Sequence, residues 1–84
     1  MKITSRGRYA LKVMIDIAEQ KSDDYIKLND IATRQSISEK YLESIIASLT
    51  KAGLLIGVRG KGGGYKLSKK PEEYTVGSIL KITE

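Results

Sequence analysis

The chain has 84 residues, enough for one small domain. Fifteen Lys and Arg against ten Asp and Glu leave a formal charge of +5, which points to an anionic partner, either nucleic acid or an acidic membrane surface. With no cysteine and no histidine, disulfides, thiolate metal sites and Ser–His or Cys–His catalysis are excluded within this chain.

The opening run, Met1-Lys2-Ile3-Thr4-Ser5-Arg6, lacks the apolar core of a signal peptide, and no stretch is long and apolar enough to span a bilayer. A cytoplasmic protein without a membrane partner is expected. Tyr9, Val13, Ile17 and Ala10, Met14, Ala18 recur at helical spacing and predict a first helix from about Ser5 to Lys21. Arg6, Arg8, Lys12, Asp16 and Glu19 fall on its polar side. Ser22-Asp23-Asp24 reads as a polar turn. Tyr25 to Leu28 reads as a short strand leading into a second helix, Leu28 to Gln35, which buries Leu28, Ile31 and Ala32.

A third helix is predicted from Glu39 to Ala52, with Leu42, Ile45, Ile46 and Leu49 as its buried stripe and Gly53 at its end. Two starts fit it. Ser38 is a good N-cap with Glu39 at the positive end of the dipole, and Ser36 with Glu39 has the spacing of a capping box. Leu54 to Arg59 and Tyr65 to Ser68 read as the strands of a hairpin with a glycine-rich tip between them. Pro71 opens a connector, and Thr75 reads as the N-cap of a last helix, Val76 to Ile82. The fold expected is mainly α with a small β-hairpin: a winged helix-turn-helix with a three-helix core, a wing and the start of a fourth helix.

The charge is unevenly placed. Residues 1–21 carry +3, residues 22–53 carry −1, residues 54–71 carry +5 and residues 72–84 carry −2. The basic excess therefore falls on the first helix and the wing. In the DNA-binding reading, the second helix of the pair enters the major groove. Its buried stripe leaves Ser38, Glu39, Lys40, Tyr41, Glu43 and Ser44 to face outward. Glu43 has two readings: an acceptor for cytosine N4 that discriminates against other bases, or a solvated carboxylate paired with Lys40 or Lys51. Tyr41 either touches phosphate or a thymine methyl, or packs in part. Tyr9 reads as core.

At the wing, Arg59-Gly60-Lys61-Gly62-Gly63-Gly64-Tyr65 combines two bases with four glycines, so a narrow tip can approach a groove closely. Arg59 suits a narrow minor groove and Lys61 a phosphate. Nucleotide-binding loops do not fit: no Gly-Lys is followed by Ser or Thr, Gly60 and Gly62 lead to Tyr65 rather than a third glycine, and a strand follows instead of a helix. Arg6, Arg8 and Lys12 are placed to track the phosphate backbone. The candidate DNA-binding set is Arg6, Arg8, Ser38, Lys40, Tyr41, Glu43, Ser44, Arg59, Gly60, Lys61, Gly62 and Gly63, with no catalytic, cofactor-binding or metal-ligating residue.

Met1-Lys2-Ile3-Thr4 with Arg6-Gly7-Arg8-Tyr9-Ala10, then Asp30-Ile31-Ala32, Ile37-Ser38 and Tyr41-Leu42-Glu43 form a recognisable array. Leu49, Lys51-Ala52-Gly53-Leu54 and Val58-Arg59-Gly60-Lys61-Gly62-Gly63-Gly64-Tyr65 complete it. Over essentially its whole length, the chain resembles the Rrf-two family of bacterial transcription regulators. The resemblance implies a homodimer on a pseudo-palindromic double-stranded DNA operator, acting as a repressor. It places the recognition helix in the major groove and the wing, Arg59 to Gly64, in the minor groove. Many members hold an iron–sulfur cluster on three cysteines just beyond the region corresponding to this chain, and others respond through a protein partner.

Three departures stand out. The sequence stops at Glu84, where relatives continue into a cluster-binding loop and a dimerisation helix. It has no cysteine, so a cluster is possible only with a cysteine-bearing C-terminal segment. Lys27 stands where Ser or Thr often caps the second helix. Residues 1–84 are thus expected to be the DNA-binding domain, with the dimerisation and sensor segment absent. The alternative function is a winged-helix module binding an acidic protein partner. An enzyme is disfavoured, because nothing pairs two carboxylates in a pocket.

Overall fold

The computed structural model describes residues 3–20 and 24–83. Its elements follow in the order α1 (Ser5–Glu19), α2 (Leu28–Gln35), α3 (Glu39–Lys51), β1 (Leu55–Val58), β2 (Gly64–Leu67), a 3-10 turn (Pro71–Glu73) and α4 (Val76–Ile82). The second and fourth helices keep the predicted bounds. The first ends two residues before the predicted Lys21, which lies outside the described residues together with Ser22 and Asp23 of the expected turn.

Local chemistry explains the helix ends. Thr4 caps α1, its hydroxyl accepting from the Gly7 amide at 3.0 Å. Lys27 contributes no side-chain cap to α2, as its ammonium has no acceptor. Instead its carbonyl takes the Asp30 and Ile31 amides, and Asp30 supplies negative charge in the first turn. The two starts considered for α3 resolve in favour of Ser38, whose hydroxyl accepts from the Tyr41 amide at 3.2 Å. Ser36 instead closes α2 with left-handed backbone, φ 52°. Thr75 and Ser78 form a reciprocal capping box at α4.

Strands β1 and β2 pair antiparallel, from Leu55 opposite Leu67 to Val58 opposite Gly64. The strand expected over Tyr25 to Leu28 is reduced to one bridge, in which Ile26 and Tyr65 exchange two backbone hydrogen bonds of 2.8 Å. Ala10, Val13, Ile31, Leu42, Ile45, Ile46 and Leu49 are buried at the junction of the first three helices, and Leu55 and Ile79 join from the hairpin and α4. Each such Leu or Ile side chain contributes about 1.5–3 kcal/mol by leaving water. Tyr74 locks the base of the hairpin. Its hydroxyl donates to the Leu54 carbonyl at 2.7 Å and accepts from the Ser68 and Lys69 amides at 3.0 Å each. Alongside α1 and α4 runs an apolar groove of about 370 Å³, with Ile15 and Val76 exposed along it.

One side-chain placement is corrected. Asp16, expected on the polar face of the first helix, is buried at 6 % exposure. The Arg34 guanidinium donates to both of its carboxylate oxygens, with the shortest bond 2.7 Å, and Gln35 donates a further bond of 2.8 Å. Burial raises the Asp16 pKa, but the hydrogen bonds from Arg34 and Gln35 and the charge of Arg34 outweigh it and hold the carboxyl below its ordinary value. This pair ties α1 to α2 and so fixes the base from which α3 projects.

Candidate nucleic-acid interface

The α2–turn–α3 unit presents α3 as an amphipathic helix. Leu42, Ile45 and Ile46 are essentially fully buried, so Ser38, Glu39, Lys40, Glu43 and Ser44 are exposed on the other face, as the spacing predicts. Tyr41 is half-buried. Its ring meets Tyr9 edge-to-face at 5.8 Å and 87°, so both tyrosines link α1 to the first turns of α3. Lys12 Nζ lies 5.5 Å from the centre of the Tyr9 ring, a cation–π contact that keeps its charge on the same side.

Arg6 and Ser44, named separately from the sequence, are partners. Arg6 Nη1 donates to Ser44 Oγ at 3.1 Å, while Nη2 donates to the Ser44 carbonyl and to Ser48 Oγ at 3.0 Å each. Arg8 is exposed. Arg34 and Asp16 form the one ion pair among the described residues, so Arg6, Arg8, Lys40, Lys51, Arg59 and Lys61 carry charge not cancelled by a contacting carboxylate of those residues. Of the two readings of Glu43, the one that pairs it with Lys40 or Lys51 finds no such ion pair.

The wing tip is a built turn. Gly63 donates its amide to the Gly60 carbonyl at 2.9 Å, and Gly60 and Gly62 adopt φ 98° and 82°, values that L side chains rarely take. Arg59, Gly60, Lys61 and Gly62 are exposed. Gly63 is buried: a Cβ there would run into the carbonyl oxygen of Val58. It shapes the tip rather than lying on its surface.

Between α3 and the hairpin opens a cleft of about 420 Å³, with Glu43, Thr50 and Lys51 on the helix side and Arg59 and Tyr65 on the other. Thr50 Oγ1 is a buried hydroxyl without a partner among the described residues. Lys51, absent from the sequence-based set, thus shares a cleft with Arg59. The helical period could have suggested it, since Lys51 follows Ser44 by seven residues and returns to the same face.

Iron is implied by the family resemblance, but the residues present do not fit it. The chain offers no thiolate or imidazole, and no group of three or more Asp or Glu could hold a metal among the described residues. No helix of the described residues is long and apolar enough to cross a membrane.

Residues 3–84 match the family model described as "Rrf2: Iron-dependent Transcriptional regulator". The chain is 46% identical over 84 residues to the HTH-type transcriptional regulator IscR of Aliivibrio salmonicida, covering all of this chain and 50% of that protein. It is 43% identical to IscR of Pectobacterium carotovorum, covering 51% of it. The chain therefore spans about half the length of these curated relatives. Among solved structures, CymR, the global cysteine regulator of B. subtilis, superposes with a TM-score of 0.94 at 38% identity, over all of this chain and 65% of that one. IscR of T. potens gives a TM-score of 0.90 at 42% identity, over 100% of this chain and 61% of that one. These neighbours share the winged helix, the two-stranded hairpin and the α2–α3 pair, and with the match over residues 3–84 they make this chain a member of the Rrf2 family of transcription regulators, a family that is not enzymatic.

Proposed function

We propose that this chain reads double-stranded DNA in a sequence-specific manner to regulate transcription. Residues 1–84 form its winged helix-turn-helix domain, and the dimerisation and sensor segment of the family lies outside them. In this reading α3 enters the major groove, where Lys40 and Glu43 meet base edges and Ser38 and Tyr41 meet the backbone near the helix start. The wing enters the flanking minor groove, with Arg59 inserted and Lys61 on phosphate. The strand that separates those two grooves then passes along the cleft between α3 and the hairpin, which puts Lys51 against it.

One juxtaposition carries the reading. Arg59 and Lys61 stand exposed and, among the described residues, without carboxylate partners on a glycine turn, beside a helix whose outward face is polar. In this reading the intact protein binds a pseudo-palindromic operator as a homodimer, which is supported by the apolar groove flanked by Ile15 and Val76, a surface with the composition of a protein contact. Repression by occupying the operator is the simplest output. An iron–sulfur cluster would require a cysteine-bearing segment beyond this chain, because the 84 residues hold no cysteine.

Methylation interference tests the groove assignment. Methyl groups on guanine N7 mark the major groove and those on adenine N3 the minor groove. Both should block binding, at neighbouring positions, and Arg59→Ala should relieve only the minor-groove block. Interference confined to one groove would refute the docking. A winged-helix module for an acidic protein would show no interference at defined positions.

A further inference from the structure

Charge and position alone place Arg6 among the phosphate contacts. Its geometry suggests another role. Three of its five N–H groups are committed to α3, one to Ser44 Oγ, one to the Ser44 carbonyl and one to Ser48 Oγ. Ser48 Oγ also donates back to the Ser44 carbonyl at 3.3 Å, closing a small network across two successive turns of α3. All three acceptors are neutral.

The other end of Arg6 is equally constrained. It sits in the first turn of α1, where the Thr4 cap holds the Gly7 amide. Gly7 itself is wedged against α4: a Cβ there would lie 3.0 Å from Leu80 Cδ2 and 3.2 Å from Thr83 Oγ1. The backbone that launches the Arg6 side chain is therefore held between its own cap and the last helix. The Tyr9–Tyr41 contact braces the same two helices.

From this we infer that Arg6 is a positioning residue, whose planar fork sets the rotation and depth of α3 for base reading, and not a phosphate ligand. The inference rests on the DNA-reading role of α3 proposed above. The hydrophobic stripe holds the inner face of α3 and the Tyr9–Tyr41 contact braces its first turns, while the edge at Ser44 and Ser48 takes a further, polar restraint. Arg6 supplies that restraint from α1. Lysine keeps the charge but concentrates its donors on one nitrogen, so it cannot span both turns as the guanidinium does.

The test compares the 84-residue chain with Arg6→Lys, Arg6→Gln, Ser48→Ala and the Arg6→Lys/Ser48→Ala pair. Each is titrated with a DNA duplex selected by the parent chain and with a scrambled duplex, across a salt series. A positioning role predicts that Arg6→Lys and Arg6→Gln both lower the ratio of selected to scrambled affinity by about tenfold, with the slope of log K against log salt unchanged for both. Ser48→Ala should lose part of the same ratio, and the pair should lose no more than Arg6→Lys alone. Thermal midpoints confirm that each variant is folded, and a purely structural role would leave the ratio of the folded protein unaltered.

A phosphate ligand gives the opposite pattern: Arg6→Gln reduces the salt slope by about 0.9, Arg6→Lys restores it, and the ratio stays constant. That result, or additive losses in the pair, overturns the inference while leaving the DNA reading intact. If the parent chain selects no duplex at all, the DNA reading fails and the positioning role fails with it.

Discussion

Replacing Tyr74 with Phe removes a single hydroxyl, and the structure fixes what that should cost. The hydroxyl donates to the Leu54 carbonyl and accepts from the amides of Ser68 and Lys69, so it joins the connector after the wing to both sides of the hairpin base. The loss is partly compensated. The Ser68 amide keeps a 3.3 Å bond to the same Leu54 carbonyl, and Lys69 is exposed, so water can reach its amide. One well-made bond and part of a second are lost, or about 1–2 kcal/mol. For a domain of this size, the thermal midpoint should fall by roughly 5–15 °C. Circular dichroism on heating measures the midpoint, and amide hydrogen exchange locates the change. The Ser68 and Lys69 amides should exchange faster in the variant, while those of Ile45 and Leu49 in α3 should quicken only as far as global stability falls. A midpoint within about 1 °C of the parent, with Ser68 and Lys69 unchanged, would refute the assignment of Tyr74 as the clamp.

Three further outcomes are expected. Asp16 has a folded pKa below its ordinary 3.8, so its stabilisation is fully present above that value and is lost as pH falls through the folded pKa. Asp16→Asn should therefore cost about 1–3 kcal/mol at neutral pH, reduced from the fully buried case because Arg34 is partly exposed, and should flatten the acid limb of stability below about pH 4. Equal acid limbs in denaturant titrations of parent and variant would contradict this. Glu43→Ala should relax discrimination at one base position by about 1–3 kcal/mol while leaving affinity for the best site nearly unchanged, as read from competition binding against single-base variants; unchanged discrimination would count against Glu43 as a base reader. Lys51→Gln should reduce the salt slope of DNA binding by about 0.9, and an unaltered slope would remove Lys51 from the strand path.

Periodicity made the helices legible, because the stripes Ala10–Val13–Ile17 and Leu42–Ile45–Leu49 each need one buried face. Glycine chemistry located the wing tip for a similar reason: few sequences other than Gly60-Lys61-Gly62-Gly63 can turn so tightly. What escaped were pairings between distant residues. Asp16 has the spacing of an exposed residue, and only the approach of Arg34 and Gln35 from α2 lets it be buried. In the sequence Arg6 reads as a free cation, because its partners Ser44 and Ser48 come from another helix. Lys51 reads from the sequence only as a partner for Glu43, because the cleft that sets it beside Arg59 exists only once the hairpin folds back. Each gap reflects tertiary context, which a one-dimensional period cannot report.

Selection of duplex DNA from a random pool by the 84-residue chain, followed by sequencing, tests the central claim most directly. The account predicts enrichment of a defined motif with a major-groove half-site flanked by an A·T-rich minor-groove segment, the enrichment at the flank disappearing in Arg59→Ala. A pool that remains random after successive rounds, at salt low enough for the cationic wing to bind, would contradict it.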